Sequence, residues 1–93
     1  MSYILKLTDD ALEDIEILKK SGDKAALKKL AILLEELTEH PRKGTGQPEE
    51  LKYDFAGCWS RRINSKHRLV YRIDETPPQA VVVLYAFGHY QDR

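Results

Sequence analysis

The apolar positions divide the chain into a stretch with helical spacing and a stretch with the two-residue spacing of strands. Tyr3-Ile4-Leu5-Lys6-Leu7 opens it as a short strand. Thr8 then offers an N-cap hydroxyl, with Asp9, Asp10 and Glu13 in a first turn where the helix dipole favours anions. Leu12, Ile15 and Leu18 recur at helical spacing up to Lys19-Lys20, and Ser21-Gly22 breaks this helix. A second helix is predicted over 26–37. There Ala26, Leu27, Leu30, Leu33, Leu34 and Leu37 form a core-facing stripe, and Lys28, Lys29, Glu35 and Glu36 lie outside. Pro41 stops it, and two prolines and two glycines make 40–48 a loop. From Leu51 onward the period is two. Strands are predicted over 57–63, 67–73 and 80–87, the first two joined by a turn at Asn64-Ser65-Lys66. The third is apolar on both faces, which suits the interior of a sheet. Two helices followed by antiparallel strands predict an α+β domain, with the helices packed on one face of a mostly antiparallel sheet.

A hairpin turning at Ser65 has a consequence for chemistry. It sets Arg62 opposite Arg68 and places Ser60, Arg62, Arg68 and Val70 on one, solvent-facing surface. Trp59, Arg61, Ile63, Leu69, Tyr71 and Ile73 then face the helices. Two arginines directly across from one another repel, which water can screen and an anion between them can turn to use.

Composition narrows the class. Ninety-three residues, 42% of them apolar, suffice for one domain over 1–93 and one small core. The formal net charge is zero, but it is unevenly laid out. Residues 1–41 carry six lysines against nine acids, residues 42–72 eight bases against three acids, and residues 73–93 one base against three acids. Most bases of the middle segment are arginines, the planar cation that matches phosphate. A single cysteine excludes an intramolecular disulfide framework, and three scattered histidines make a Cys/His zinc site an unsuitable reading. With no apolar run of membrane length and no apolar leader, a cytoplasmic domain without membrane attachment is expected.

Metal-free RNA cleavage needs a base, an acid and a cation at one phosphate, because the substrate's own 2′-hydroxyl is the nucleophile. Glu49 at the end of the loop, the two arginines, and His89 with Tyr90 after the last strand offer these groups. A binding module that uses the arginine face without turnover is the alternative. A third reading is an interaction scaffold presenting the leucine stripe. A metal-dependent nuclease lacks its cluster of carboxylates.

The motifs carry a resemblance. Gly44-Thr45-Gly46-Gln47-Pro48-Glu49-Glu50-Leu51-Lys52, then Gly57-Cys58-Trp59-Ser60-Arg61-Arg62-Ile63, then His67-Arg68-Leu69-Val70-Tyr71 and the pair His89-Tyr90 resemble, in order and spacing, the YoeB (Txe) toxins of the RelE superfamily. The resemblance implies an mRNA endoribonuclease acting in the ribosomal A site, without cofactor or metal, and neutralised by a YefM-like antitoxin. It further implies a homodimer that meets DNA only through the antitoxin complex. By position, Glu49 is similar to the family's general base, Arg68 to the residue stabilising the phosphate, and Arg62 to a supporting phosphate contact. His89 is similar to the general acid and Tyr90 to the residue orienting the phosphate, while Lys52 would hold RNA. Gln91-Asp92-Arg93 depart from the pattern by continuing past the Tyr, and the loop 74–79 is longer than the family's.

Overall fold

The computed structural model describes residues 2–88. Its elements are β1 (Ile4–Leu7), α1 (Asp9–Ser21), α2 (Lys24–Leu37), β2 (Glu49–Glu50), β3 (Cys58–Arg62), β4 (Arg68–Asp74) and β5 (Ala80–Tyr85). A single 3-10 turn over Tyr53–Phe55 lies between β2 and β3. Thr8 caps α1 as expected, its Oγ1 accepting the Ala11 N–H at 3.1 Å. The helix ends where the Gly22 N–H donates to the Lys19 carbonyl. Asp23 caps α2 by accepting the Ala26 N–H at 3.0 Å, which is why the second helix starts two residues before its apolar stripe.

The five strands are ordered β1-β5-β4-β3-β2. All neighbours are antiparallel except β1 and β5, which pair in parallel from Ile4↔Ala80 to Leu7↔Val83. The apolar last strand therefore sits between β1 and β4, as its composition predicts. Leu18, Leu30, Leu33 and Leu37 pack with Leu69, Tyr71, Val81 and Val83 into one core between helices and sheet. Burial of each large apolar side chain contributes about 1.5–3 kcal/mol. The leucine stripe is thus spent inside the molecule, and the scaffold reading fails.

In α1 the inward stripe is Ala11, Asp14, Ile15 and Leu18, not Leu12, which is 49% exposed. Asp14 replaces an apolar residue there because its Oδ2 accepts the Ala86 N–H at 3.0 Å just past β5. A buried carboxylate with a backbone donor has a partner that hydropathy does not register. No helix is long and apolar enough to cross a membrane among the described residues.

Candidate active site

The sheet turns one face to the helices and the other away from them, and the residues with candidate chemistry lie on the second. Arg62 stands opposite Arg68, the register expected from a turn at Ser65. In that turn Asn64 Oδ1 accepts the Lys66 and His67 N–H groups, both at 2.8 Å. Strand alternation then aligns Cys58, Ser60 and Arg62 of β3 with Arg68, Val70 and Arg72 of β4. Trp59, Arg61, Leu69, Tyr71 and Ile73 face the helices, as expected.

Glu49 joins this face through a strand that hydropathy does not reveal. β2 is two residues long, and it pairs Glu49 with Ser60 and Glu50 with Trp59. With strands about 4.8 Å apart, the Glu49 backbone is about 10 Å from that of β4, a gap of ribose-phosphate size. Glu49 and Arg62 are exposed, and Arg68 is half-buried. Ser60 and Val70 are fully buried, which corrects the expectation that this face is open throughout. Each has a strand on both sides, so only the longer side chains around them keep contact with water. The Ser60 Oγ is buried with no hydrogen-bond partner among the described residues, beside Glu49 in the ladder.

The other expected residues fall differently. Lys52 is exposed, but it lies beyond Leu51, whose N–H donates to the Cys58 carbonyl at 2.8 Å. That places it past the opposite end of β3 from Arg62. His89, Tyr90 and the tail Gln91-Asp92-Arg93 lie outside the described residues. The residue before His89 is well held: the Gly88 carbonyl accepts the Arg68 N–H at 3.0 Å, and the Gly88 N–H donates to His67 Nδ1 at 2.8 Å. His67 also stacks on Phe87, with ring centroids 4.3 Å apart. Burial, helped by the Lys66 charge, lowers the His67 pKa, so the neutral ring can keep Nδ1 as an acceptor. His67 thus fastens the chain's exit from β5 to the base of β4, a role concealed by its place in a strand motif.

The segment leading to Glu49 is fastened from the helix side by Arg61. This guanidinium is fully buried, yet every bond it makes is polar. Nη1 donates to Glu36 Oε1 at 2.9 Å and to the Thr45 carbonyl at 3.3 Å. Nη2 donates to the carbonyls of His40 and, at 2.8 Å, Lys43, and Nε donates to the Tyr71 hydroxyl at 3.1 Å. The Tyr71 hydroxyl in turn donates to the Pro41 carbonyl at 2.7 Å. Glu36 also accepts from the Thr45 N–H at 2.8 Å and the Thr45 hydroxyl at 2.6 Å. These bonds, with Thr45 the largest influence and Arg61 adding to it, hold the Glu36 carboxyl below the usual glutamate range.

The two glycines beside Thr45 follow from this lock. A Cβ on Gly44, at φ +125°, would stand 2.3 Å from Glu36 Oε1. A Cβ on Gly46, at φ +88°, would stand 2.9 Å from the Arg62 carbonyl. The Gly46 carbonyl accepts the Arg62 N–H at 2.7 Å, so loop and strand touch directly. Gly-Thr-Gly here is a backbone fitted against an ion pair, with positive φ that glycine supplies. Among the described residues, no group of three His, Cys, Asp or Glu stands close enough together to hold a metal ion.

Comparison with known proteins extends this picture over nearly the whole chain. Residues 7–90 match the family model of the YoeB-like toxin of bacterial type II toxin–antitoxin systems. Toxin YoeB of Synechocystis is 40% identical over 72 residues, covering 77% of this chain and 80% of the relative. The YoeB/ParE toxin from Agrobacterium tumefaciens superposes with a TM-score of 0.85 at 36% identity, covering 94% of this chain and 99% of that one. A YoeB dimer from Staphylococcus aureus gives 0.80 at 32% identity, and the same organism's heterotetrameric YoeB–YefM toxin–antitoxin complex gives 0.78 at 32%. Each of those two comparisons covers 97% of this chain and 100% of its counterpart. The strand order, the packing of both helices and the match over residues 7–90 agree: this chain belongs to the YoeB-like toxins of bacterial type II toxin–antitoxin systems.

Proposed function

We propose that this toxin is a metal-independent endoribonuclease that cuts mRNA in the ribosomal A site. The observation that carries the reading is the shared face of Glu49, Arg62 and Arg68, with Gly88 bonded to the Arg68 backbone beside them. In this reading Glu49 takes the proton of the 2′-hydroxyl, whose oxygen attacks the adjacent phosphorus. Arg68, seconded by Arg62, neutralises the charge that builds on the phosphorane oxygens, where fixed donors act most strongly. His89 gives its proton to the departing 5′-oxygen, and Tyr90 orients the phosphate. Bond making and breaking then balance as one P–O bond formed and one lost, leaving a 2′,3′-cyclic phosphate and a free 5′-hydroxyl. Lys52 lies off this row and holds RNA outside the reacting group.

A YefM-like antitoxin is the expected inhibitor, the partner seen with the Staphylococcus aureus relative, and the free toxin is expected to be a homodimer. DNA contact belongs to the antitoxin complex. The test is cleavage of mRNA on programmed ribosomes, in the magnesium the ribosome itself requires and with no added transition metal, with 5′ ends mapped and their phosphorylation state determined. Wild type should produce 5′-hydroxyl ends, and Arg68→Ala should cut about 10²–10³-fold more slowly while keeping its circular dichroism. RNA bound at full affinity with no cut ends in either protein would instead make the chain a binding module.

A further inference from the structure

The cations of the open face extend past Arg62 and Arg68. Register carries Arg72 onto the same face of β4, four residues from Arg68 and thus roughly 13 Å along the strand. Arg72 stands beside Val82 of β5, and Val82 stands beside Lys6 of β1, so one valine separates the two cations across the sheet. Both are exposed, and neither has an ion pair among the described residues. Asp74, the next residue of β4 on this face, has its Oδ1 accepting the Thr76 N–H at 3.0 Å. Between the two cationic rows lie Val70 and Ser60, both fully buried, with Tyr85 beside Val70 in the ladder. Two cationic rows on one face of the sheet match a single nucleic-acid strand, with phosphates of different nucleotides meeting the two rows. The separation exceeds one nucleotide of backbone, so the second row serves a different phosphate from the scissile one.

We propose that Lys6 and Arg72 form a second phosphate subsite that grips the RNA backbone away from the cleaved bond. This rests on the nuclease reading above and adds the path of the strand across the sheet. It predicts a division of labour: Arg68 governs the rate of the bound complex, and Arg72 with Lys6 governs how much complex forms.

The probe is a fluorescent, fully 2′-O-methylated oligoribonucleotide, which lacks the nucleophile and stays intact. Its anisotropy is titrated with wild type, Lys6→Ala, Arg72→Ala and Arg72→Lys at several potassium chloride concentrations. Arg72→Ala should weaken binding roughly five- to tenfold. It should also flatten the slope of log K against log salt by about 0.7, the value for one single-strand phosphate contact. Lys6→Ala should flatten it likewise, and Arg72→Lys should restore the slope. Single-turnover cleavage at saturating RNA should match wild type in all three. Unchanged slopes in both alanine variants overturn the subsite, as does a lowered saturated rate with normal binding. A loss of antitoxin affinity without loss of RNA affinity overturns it too, since the row then serves a protein partner. If wild type neither binds the oligonucleotide nor cuts mRNA on programmed ribosomes, it is the nuclease reading that falls; if it cuts there without binding the oligonucleotide, the subsite alone is overturned.

Discussion

Replacing Arg61 with methionine keeps a long apolar stem and removes only the guanidinium. Five hydrogen bonds go with it: to Glu36, to the Tyr71 hydroxyl and to the carbonyls of His40, Lys43 and Thr45. At about 1.5–3 kcal/mol for each charged bond, their sum would exceed the stability of many whole domains. That sum overcounts, because Lys43 and Thr45 are exposed and their carbonyls can return to water. A net loss of about 3–5 kcal/mol, the usual result of breaking a buried ion pair, is the expected value. Glu36→Gln leaves the fully buried Arg61 guanidinium without its counter-charge, but the carbonyls of His40, Lys43 and Thr45 and the Tyr71 hydroxyl still accept from it, so a loss of about 1–3 kcal/mol is expected. The chain's single tryptophan, Trp59, packs against the core and reports unfolding by fluorescence in urea. At a urea dependence of about 1.5 kcal/mol per molar, Arg61→Met should lower the midpoint by roughly 2–3 M. A midpoint within about 0.5 M of wild type would refute the claim that this guanidinium holds the loop. Acid should unmask the same lock. Because the Glu36 pKa is lowered in the fold, its contribution is full above the ordinary glutamate value of 4.5 and disappears as pH falls through the folded value. Glu36→Gln should flatten that acid limb.

Three further outcomes follow from other contacts. Gly46→Ala should destabilise by about 1–3 kcal/mol in the same urea assay, since a Cβ there meets the Arg62 carbonyl at positive φ. His67 has a lowered pKa, so the unfolded chain takes up its proton first; stability is full above the ordinary value of 6.5 and lost as pH falls below it. His67→Phe should remove that part of the Tm change between pH 7 and pH 5, and an unaltered pH–Tm curve would show that Gly88 does not depend on the neutral ring. His89→Ala should slow cleavage and flatten its pH dependence near neutrality under single-turnover conditions, and a retained inflection would assign the acid to another group.

The elements most legible in sequence are those whose periodicity is enforced by burial. The stripe from Ala26 to Leu37 and the alternation from Trp59 to Ile73 each have one face committed to the core, so their spacing announces both helix and hairpin. The Arg62–Arg68 register was legible for the same reason, since a slip of one residue would drive Leu69 and Tyr71 out of the core. What escaped is held by polar bonds that hydropathy does not encode. β2 is two glutamates, recognisable only by the ladder with Trp59 and Ser60. Asp14 takes a core position by accepting one backbone N–H, and Glu36, read as an outward residue of its helix, turns instead to Arg61 and Thr45. One signal was available: Arg61 is a lone cation in an otherwise apolar set facing the helices, and such a residue needs an anion and several carbonyls nearby. Of the site residues, Glu49, Arg62 and Arg68 share a face, whereas Lys52 does not stand in their row.

The parallel pairing of β1 with β5 ties the first strand to the last. Ile4 meets Ala80 and Leu7 meets Val83, so β1 has no partner in the sheet until β5 has left the ribosome's exit tunnel. Until then β4 lacks one neighbour, and the Arg68 N–H lacks the Gly88 carbonyl that receives it in the finished molecule. The arginine face is therefore complete only once β5 has docked, and a chain in which β5 has not yet docked lacks the finished surface.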